Sequence, residues 1–423
     1  MPVHRLEQLL RFVRQNSAFY RKLYSTLPED ETRLEAFPVV PQQDFWEANS
    51  ARESRLLTGP THNGVVYKSG GTTGNPKFSF YLRDEWDDFC RAFGRGMAAS
   101  GLRPGERIGN LFYVGELYAS FLFIHRCLEL SPVPVLQFPI GGAASLDSMV
   151  KTVLDFDIET LAGGPTTIMA FAEHVACHLE KSGRPRLTKV LFGGESFYPD
   201  QRARLEEIFP GIQVQSIGCA SVDAGFIGYS DESCHPDEHR AFGAESIVEI
   251  LDEKSGEPIT GTGCAGRLVV TNLIRALMPI IRYPSGDRAE WVDPREAGPD
   301  RKFRLLGRAE EGARVGSITL YYDDVRPILA PFQKPLGIVN YQLRVVHEQR
   351  KDRLSLVVAV QDPAALPESA TQTLLTALHA QRPMLQAWTA SGQIHPTRID
   401  WVAPAQLAVN PRTGKLRRIM DER

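Results

Sequence analysis

Glycine, serine and threonine are concentrated in one short segment, residues 67–77, which reads YKSGGTTGNPK. The segment directly follows a predicted strand at 65–68. Glycine leaves backbone N–H groups accessible, and together with hydroxyl groups these can surround a phosphate closely. The segment is not a Walker A loop, because no glycine is followed five residues later by Gly-Lys-Ser or Gly-Lys-Thr. It therefore predicts an anion-binding loop of another kind, with a flexible hairpin as the alternative interpretation.

Four later segments combine glycine with carboxylate or basic side chains. Residues 191–197 (LFGGESF) end a predicted strand, and ligands of open α/β sheets bind where strands end. Residues 216–229 (SIGCASVDAGFIGY) contain Asp223, a carboxylate of the kind that hard cations prefer, although it could equally cap a loop. Residues 282–287 (RYPSGD) end in Asp287, and residues 414–418 (GKLRR) taken alone are typical of a solvated basic tail. By its residues alone, only the first segment predicts a site for a phosphate.

The first of these segments resembles a known signature. SGGTTGNPK is similar to the phosphate loop of the adenylate-forming superfamily, whose usual form is Ser-Ser-Gly-Thr-Thr-Gly-Lys-Pro. The sequence that follows it, including LQFPIGG at 136–142, most resembles the phenylacetate–coenzyme A ligase branch. The resemblance runs from about residue 60 to the C-terminus. Two positions differ: Gly70 replaces a serine and Asn75 replaces the lysine. Both changes keep the glycine backbone, but Asn75 supplies no charge.

The resemblance implies a set of nucleotide-binding residues. A tyrosine that stacks on adenine in the family is replaced here by Cys219, and the family's magnesium-binding glutamate corresponds to Asp223, one methylene shorter. Asp287 would accept hydrogen bonds from ribose hydroxyls, and Arg308 would reach ribose or phosphate as a fixed cation. The complete implied set is Ser69, Gly70, Gly71, Thr72, Thr73, Gly74, Gly193, Gly194, Glu195, Ala220, Ser221, Tyr283, Asp287 and Arg308.

The same resemblance implies catalytic residues and an acid pocket. Lys415 corresponds to a lysine that stabilises charge on the carboxylate and the α-phosphate during adenylation, and Asp223 is the second catalytic candidate as the Mg²⁺ ligand. Aromatic side chains in the implied pocket favour a flat or aromatic acid, with core packing as the alternative, and Tyr198 could contact its rim. The pocket set is Phe112, Tyr113, Phe138, Pro139, Ile140, Gly141, Gly218 and Phe226.

Part of a metal-site pattern is also present. Many phenylacetate–coenzyme A ligases hold a structural zinc with a Cys-His pair and a later Cys-x-Cys. Cys234, His235 and His239 match the first half, but residues 293–304 contain no cysteine, so the tetrahedral ligand set does not close and we expect no structural zinc. This arrangement is also reminiscent of bacterial indoleacetate–lysine synthetase, in which the activated acyl group goes to an amine.

Short apolar runs alternate with amphipathic helical patterns from residue 64 onward, which is typical of an α/β fold with buried parallel strands. From about residue 211 the strands become more closely spaced, and from about residue 307 a compact α+β module follows. The predicted strands are 65–68, 107–112, 133–137, 160–162, 189–192, 214–217, 246–251, 267–273, 289–292, 341–348, 353–361 and 400–402. The predicted helices are 84–99, 115–129, 144–156, 165–181, 199–209 and 367–381.

We therefore expect two domains. Residues 1–306 would form a large layered adenylation (AMP-binding) domain, and residues 307–423 a small, mobile α+β C-terminal domain. In the family the small domain rotates about a hinge between the two reaction steps, which implies Glu310 as the hinge residue and Gly316 in the turn that follows it.

Composition narrows the class of protein. Lys plus Arg is 48 and Asp plus Glu is 51, so the formal charge is −3, which gives no general attraction to nucleic acid or anionic lipid. The first helix is amphipathic and lacks a signal-peptide core, and no apolar run reaches the roughly 20 residues that span a bilayer. The six cysteines form no CxxC pair. We expect a cytoplasmic enzyme that binds neither nucleic acid nor membrane; homodimers are common in the family.

The expected function is ATP- and Mg²⁺-dependent, AMP-forming activation of a carboxylic acid through an acyl-adenylate, followed by transfer to coenzyme A. One alternative keeps adenylation and sends the acyl group to an amine or to a carrier-protein thiol. A further alternative is a catalytically degenerate nucleotide-binding homologue, motivated by Cys219 and Asn75.

Overall fold

The structure is a computed structural model of the chain and describes residues 2–69, 77–115, 117–194, 197, 199–308, 312–315, 318–348, 351–390, 394–411 and 414–422. Its internal contacts divide the chain into two units. The first comprises Met1–Leu306 and Arg412–Gly414, and the second comprises Gly307–Pro411 and Lys415–Arg423. None of the described helices has both the length and the apolarity needed to cross a membrane.

The described helices and strands alternate through most of the first unit. Its helices are α1 Pro2–Asn16, α2 Ala18–Leu23, α3 Gln42–Glu47, α4 Arg83–Ala99, α5 Ser120–Glu129, α6 Leu146–Asp155, α7 Pro165–His178 and α8 Pro199–Ile208. Its strands are β1 Gly64–Ser69, β2 Lys77–Leu82, β3 Arg107–Asn110, β4 Leu136–Pro139, β5 Thr160–Gly163, β6 Lys189–Phe192, β7 Gln213–Ser216, β8 Cys219–Ser221, β9 Gly225–Tyr229, β10 Glu238–Ala241, β11 Ser246–Leu251, β12 Gly266–Asn272, β13 Tyr283–Trp291 and β14 Lys302–Arg308, which ends at the boundary between the units.

A five-stranded parallel sheet holds the α/β part of the first unit, in the order β4-β3-β5-β6-β7. Every residue of β5 and β6 is buried. Continuous burial is typical of parallel strands that helices cover on both faces, and helices α5 to α8 connect these strands as crossovers. The predicted α/β class is confirmed, and all the carboxyl ends of these strands lie along one edge of the sheet.

A seven-stranded sheet follows, in the order β11-β12-β13-β14-β10-β9-β8, and β1 and β2 form a separate antiparallel hairpin. The N-terminal segment belongs to the same core: Leu10 of α1, Tyr20 of α2 and Phe45 of α3 pack in one cluster with Met278 and Tyr283. Burial of these side chains anchors the first 60 residues to the first unit.

The second unit contains a β-hairpin and a four-stranded mixed sheet, in the order β19-β18-β17-β20. Its apolar core lies between this sheet and its helices. Its strands are β15 Gly312–Val315, β16 Ile318–Tyr321, β17 Ile338–Glu348, β18 Lys351–Val360, β19 Arg398–Val402 and β20 Ile419–Asp421. Its helices are α9 Tyr322–Leu329, α10 Gln333–Leu336, α11 Ala370–Gln381 and α12 Pro383–Ala390.

Several predicted bounds differ from the structure by up to three residues, and two elements differ by more. The helix expected over 115–129 begins only at Ser120, because Leu117 has a left-handed φ of 65° and its carbonyl accepts a hydrogen bond from the Lys68 N–H of β1. The strand expected over 289–292 begins at Tyr283, so the RYPSGD motif lies inside β13 except for Arg282, which directly precedes the strand.

Candidate active site

The β1–β2 hairpin presents the predicted phosphate loop. Ser69 at the end of β1 pairs with Lys77 at the start of β2, so the described residues on either side of 70–76 are held next to each other. The candidate residues Gly70, Gly71, Thr72, Thr73 and Gly74, together with Asn75, lie outside the described residues, as do Glu195, Tyr198, Glu310 and Gly316.

A charged pair stands where β2 begins, next to the 70–76 segment. The ammonium of Lys77 is 4.0 Å from Oδ2 of Asp223, and the side chains are 29% and 16% exposed, respectively. The same ammonium lies 5.3 Å from the centre of the Trp46 ring, in cation–π geometry. The predicted magnesium ligand and a cation are therefore next to each other where the glycine-rich segment ends.

A buried arginine holds the backbone around Asp223. Arg275 is almost fully buried, and its Nη1 donates to the carbonyl oxygens of Asp223 and, at 3.5 Å, of Val222. Its Nη2 donates to the Phe80 carbonyl at 3.3 Å, and the guanidinium lies 4.0 Å from the centre of the Tyr81 ring. The guanidinium thus joins β2 to the loop that carries Asp223.

Tyr81 and Asn272 also hold the loop that carries Asp223. Tyr81 donates its hydroxyl to the Val222 carbonyl at 2.8 Å, and Asn272 donates to the Ala224 carbonyl at 3.2 Å. Burial raises the pKa of Tyr81 to about 12, so the phenol stays protonated and remains a donor at neutral pH. Glu85 accepts the N–H groups of Ala276 and Leu277, which fixes the turn beyond Arg275.

Glycines lie where the central strands end. Gly193 and Gly194 follow β6, and Gly194 has φ 80°, a left-handed conformation that favours glycine. A Cβ on Gly193 would come within 2.6 Å of the Ile217 side chain. Gly218 has φ 116°, and a Cβ there would come within 2.6 Å of the Gly228 carbonyl. These positions need glycine; Gly193 is buried, whereas Gly194 is exposed and Gly218 half-buried at the edge of the sheet where ligands bind.

The short strand β8 carries Cys219, Ala220 and Ser221 beside this edge. Ala220 is exposed, whereas Cys219 and Ser221 are half-buried. The Ser221 hydroxyl accepts the Ala224 N–H at 2.9 Å and so helps to shape the loop around Asp223.

The RYPSGD motif separates into a buried half and an accessible half. Tyr283 is 1% exposed, and its hydroxyl accepts hydrogen bonds from Gln42 and from the Trp46 indole, both at 2.9 Å. It lies in the core, and sequence reasoning did not foresee this position. Asp287 is half-buried and stands in a β-bulge, where residues 285–287 of β13 lie opposite Leu268 alone. Bulges commonly re-aim a side chain next to a functional site.

The predicted acid-pocket residues differ in exposure. Phe226 is 1% exposed and packs edge-on against Phe89, and Phe112 is also buried. In contrast, Tyr113, Phe138, Ile140, Gly141 and Gly218 are half-buried and Pro139 is exposed. The carbonyls of Asn110 and Phe112 accept the N–H groups of Gly141 and Gly142, which holds the 139–142 loop beside the end of β3.

The incomplete zinc pattern does not stay together in space as a ligand set. His239 is fully buried, its Nε2 is 3.2 Å from the Ser216 hydroxyl, and burial lowers its pKa to about 4. Burial, with the Asp231 carboxylate nearby, raises the pKa of Cys234 to about 11, so this thiol is protonated at neutral pH. Among the residues that the structure describes, no group of three His, Cys, Asp or Glu could hold a metal ion.

Two candidates belong to the C-terminal part of the chain. Lys415 is half-buried in the second unit, on a hairpin in which Val409 bridges to Leu416. Arg308 is the last residue of β14.

Sequence reasoning missed three residues of the site. Lys77 closes the glycine-rich segment, and its charge next to a loop without lysine was an available signal. Arg275 and Trp46 act through partners distant in sequence, so no local pattern could have identified them.

The chain is similar to known proteins along almost its whole length. No protein-family model matches the sequence. The phenylacetate-coenzyme A ligase of Thermus thermophilus is 25% identical over 433 aligned positions, which cover 99% of this chain and 95% of that protein. Three further curated relatives have the same name.

Solved structures show the fold. 2-Hydroxyisobutyryl-CoA ligase in complex with 2-HIB-AMP has a TM-score of 0.75 at 23% identity, covering 100% of this chain and 89% of that chain. The acyl acid amido synthetase AtGH3.15 has a TM-score of 0.68 at 12% identity, covering 95% and 87%. Over almost its whole length the chain is therefore similar to phenylacetate-coenzyme A ligases, and it shares the fold of adenylate-forming enzymes, in agreement with the resemblance of its ordered motifs.

Proposed function

We propose that this protein activates a carboxylic acid with ATP and transfers the acyl group to coenzyme A. In the first step a carboxylate oxygen bonds to the α-phosphorus of ATP, and pyrophosphate leaves with the electrons of the broken P–O bond. In the second step the sulfur of coenzyme A bonds to the acyl carbon, AMP leaves and the thiol proton is released. The observation that carries the proposal is the Lys77–Asp223 pair at the end of the glycine-rich segment, where β2 begins.

The chain's own residues have distinct tasks in the first step. Lys77 and the backbone of the glycine-rich loop offset negative charge on the phosphates, and Asp287 accepts hydrogen bonds from ribose hydroxyls. Lys415 stabilises the charge that develops on the carboxylate and the α-phosphate. These roles follow from the site residues and from the family resemblance together.

The Asp223 carboxylate fits a magnesium ion that is shared with substrate. Mg²⁺ commonly takes one or two carboxylates from the protein and its other ligands from phosphates and water, so a single carboxylate at the loop base is sufficient. Bound there, Mg²⁺ would neutralise charge on the phosphate oxygens.

We further propose that the acid is flat or aromatic. The half-buried side chains of Tyr113 and Phe138 lie by the end of the parallel sheet, where apolar rings could contact such a substrate. We assign the first unit as the adenylation domain and Gly307 onward as the small C-terminal domain.

The test is product analysis by mass spectrometry. The protein is incubated with ATP, Mg²⁺, coenzyme A and a panel of aromatic, short aliphatic and long aliphatic acids. We expect AMP and an acyl-coenzyme A thioester, strongest with an aromatic acid. ADP as the nucleotide product would contradict the mechanism. An amide formed with added amines, without thioester, would identify the acceptor as an amine, and nucleotide binding without any product would favour a degenerate homologue.

A further inference from the structure

A buried glutamine in the second unit lies beneath the hairpin that carries Lys415. Gln342 is 0% exposed and stands opposite Val357 in the β17–β18 ladder. Its surroundings are apolar: Val357, Ala359, Leu407 and Met420 form a small core there. A primary amide in such a place is costly unless its donor and acceptor groups find partners.

The partners of Gln342 belong to both arms of one hairpin. Its Nε2 donates to the carbonyl oxygens of Ala408 and Arg417, both at 2.7 Å, and its Oε1 accepts the Ala408 N–H at 2.9 Å. All three bonds are short and go to backbone atoms. One side chain therefore fixes the first arm and the second arm relative to each other.

We call Gln342 and its bonds to Ala408 and Arg417 the clamp. Lys415 lies just beyond it. The Arg417 N–H donates to the Ala408 carbonyl at 3.0 Å, and the Asn410 N–H donates to the Lys415 carbonyl at 2.8 Å. The backbone of Lys415 is thus separated from the clamp by a single residue pair, Val409 and Leu416. Any displacement of the two arms would therefore also displace Lys415.

We propose that Gln342 is a positioning residue for Lys415. This inference rests on the proposed function, in which Lys415 acts on the adenylation step. Neither an apolar residue nor a carboxylate can replace the amide, because only an amide donates to two carbonyls and accepts from an N–H at the same place. With Lys415 acting in adenylation, the clamp matters for the first step, and we expect acyl transfer to coenzyme A not to depend on it.

The kinetic test separates the two half-reactions of the full-length protein. In Gln342→Met, which keeps the side-chain volume, we expect carboxylate-dependent exchange of labelled pyrophosphate into ATP to fall by about tenfold or more, since small misplacement of a catalytic group has large effects. Transfer from a supplied acyl-adenylate to coenzyme A should stay within about twofold, because the clamp is not used in that step. The matched control is Gln372→Met, an exposed glutamine of α11 in the same unit.

A second measurement does not depend on activity. Hydrogen exchange in Gln342→Met should accelerate at the Arg417 amide and leave the β17–β18 amides protected. If Gln342→Met does not fold, Gln342→Glu, which keeps the acceptor and loses both donors, takes its place with the same expectations. Equal losses in both half-reactions, or unchanged exchange of pyrophosphate and of the Arg417 amide, would overturn the inference. A wild-type protein without pyrophosphate exchange would instead refute the proposed function, and the hydrogen-exchange result would still decide whether Gln342 clamps the hairpin.

Discussion

At the scale of single residues, the site depends on a small number of charges. Asn75 leaves the glycine-rich loop without the positive charge that the family usually has there, and Lys77 is the cation nearest in sequence. Its ammonium is held between the Trp46 ring and the Asp223 carboxylate. A cation in this place can take over the phosphate contact that the family's loop lysine would make.

Replacing Lys77 tests whether it makes the phosphate contact of the missing loop lysine. Lys77→Met removes the charge and keeps most of the side-chain length, so we expect the KM for ATP to rise about tenfold, the usual effect of losing one hydrogen bond to a charged group. Lys151→Met, on the exposed face of α6, is the matched control. An unchanged KM for ATP would show that Lys77 does not contact the phosphates.

His239 makes the stability of the first unit sensitive to acid. Burial lowers its pKa from 6.5 to about 4, so between these pH values the unfolded chain binds a proton that the folded chain does not. Stability therefore falls as the pH drops through this window, by about 2 kcal/mol between pH 7 and pH 5.

Urea unfolding at the two pH values measures this contribution. In His239→Gln, which can still bond to Ser216, the loss of unfolding free energy between pH 7 and pH 5 should be smaller by about 2 kcal/mol than in the wild type. The same loss in both proteins would mean that His239 is protonated in the folded state.

At the scale of elements, the site depends on contacts between segments that are far apart in the sequence. Arg275 follows β12 and joins the Phe80 carbonyl of β2 to the Asp223 carbonyl. Arg275→Met leaves these buried acceptors without a donor, so we expect a loss of unfolding free energy on the order of 3 kcal/mol.

The kinetic effect of Arg275→Met distinguishes positioning from simple stabilisation. Because the loop around Asp223 loses its anchor, pyrophosphate exchange should also need a higher Mg²⁺ concentration. Arg275→Lys, which keeps the charge without the planar fork, should give intermediate values of both quantities. A normal Mg²⁺ dependence in a destabilised Arg275→Met would limit the role of Arg275 to folding.

Elements with a strong local pattern were predictable from the sequence. The apolar runs of β5 and β6 and the amphipathic α4 appear within a residue or two of the predicted bounds. The turn at Leu117 and the bulge before Asp287 were not predictable, because hydrogen bonds to other strands decide them. The same reason decides which site residues could be predicted. The motif segments have local sequence patterns, whereas Arg275, Trp46 and Gln342 contact partners that are distant in the sequence.

At the scale of the whole molecule, the near-neutral charge agrees with a site that binds anions through a few local groups. A formal charge of −3 gives no general attraction to anions, so in the proposed reaction the phosphates would meet individual cations such as Lys77 and Lys415. These two belong to different units of the chain. The proposed reaction therefore needs both units, and a protein that lacks the second should bind nucleotide yet form no adenylate.

Carboxylate-dependent exchange of labelled pyrophosphate into ATP tests the central claim most directly, because it reports formation of the acyl-adenylate before any acceptor is involved. We predict exchange that requires Mg²⁺ and an acid, and that falls by about a hundredfold in Asp223→Asn and in Lys415→Ala, the scale of losing one group that stabilises transition-state charge. Nucleotide binding by Lys415→Ala should be retained. Absence of exchange with every acid of a broad panel, or full exchange in both variants, would contradict the account.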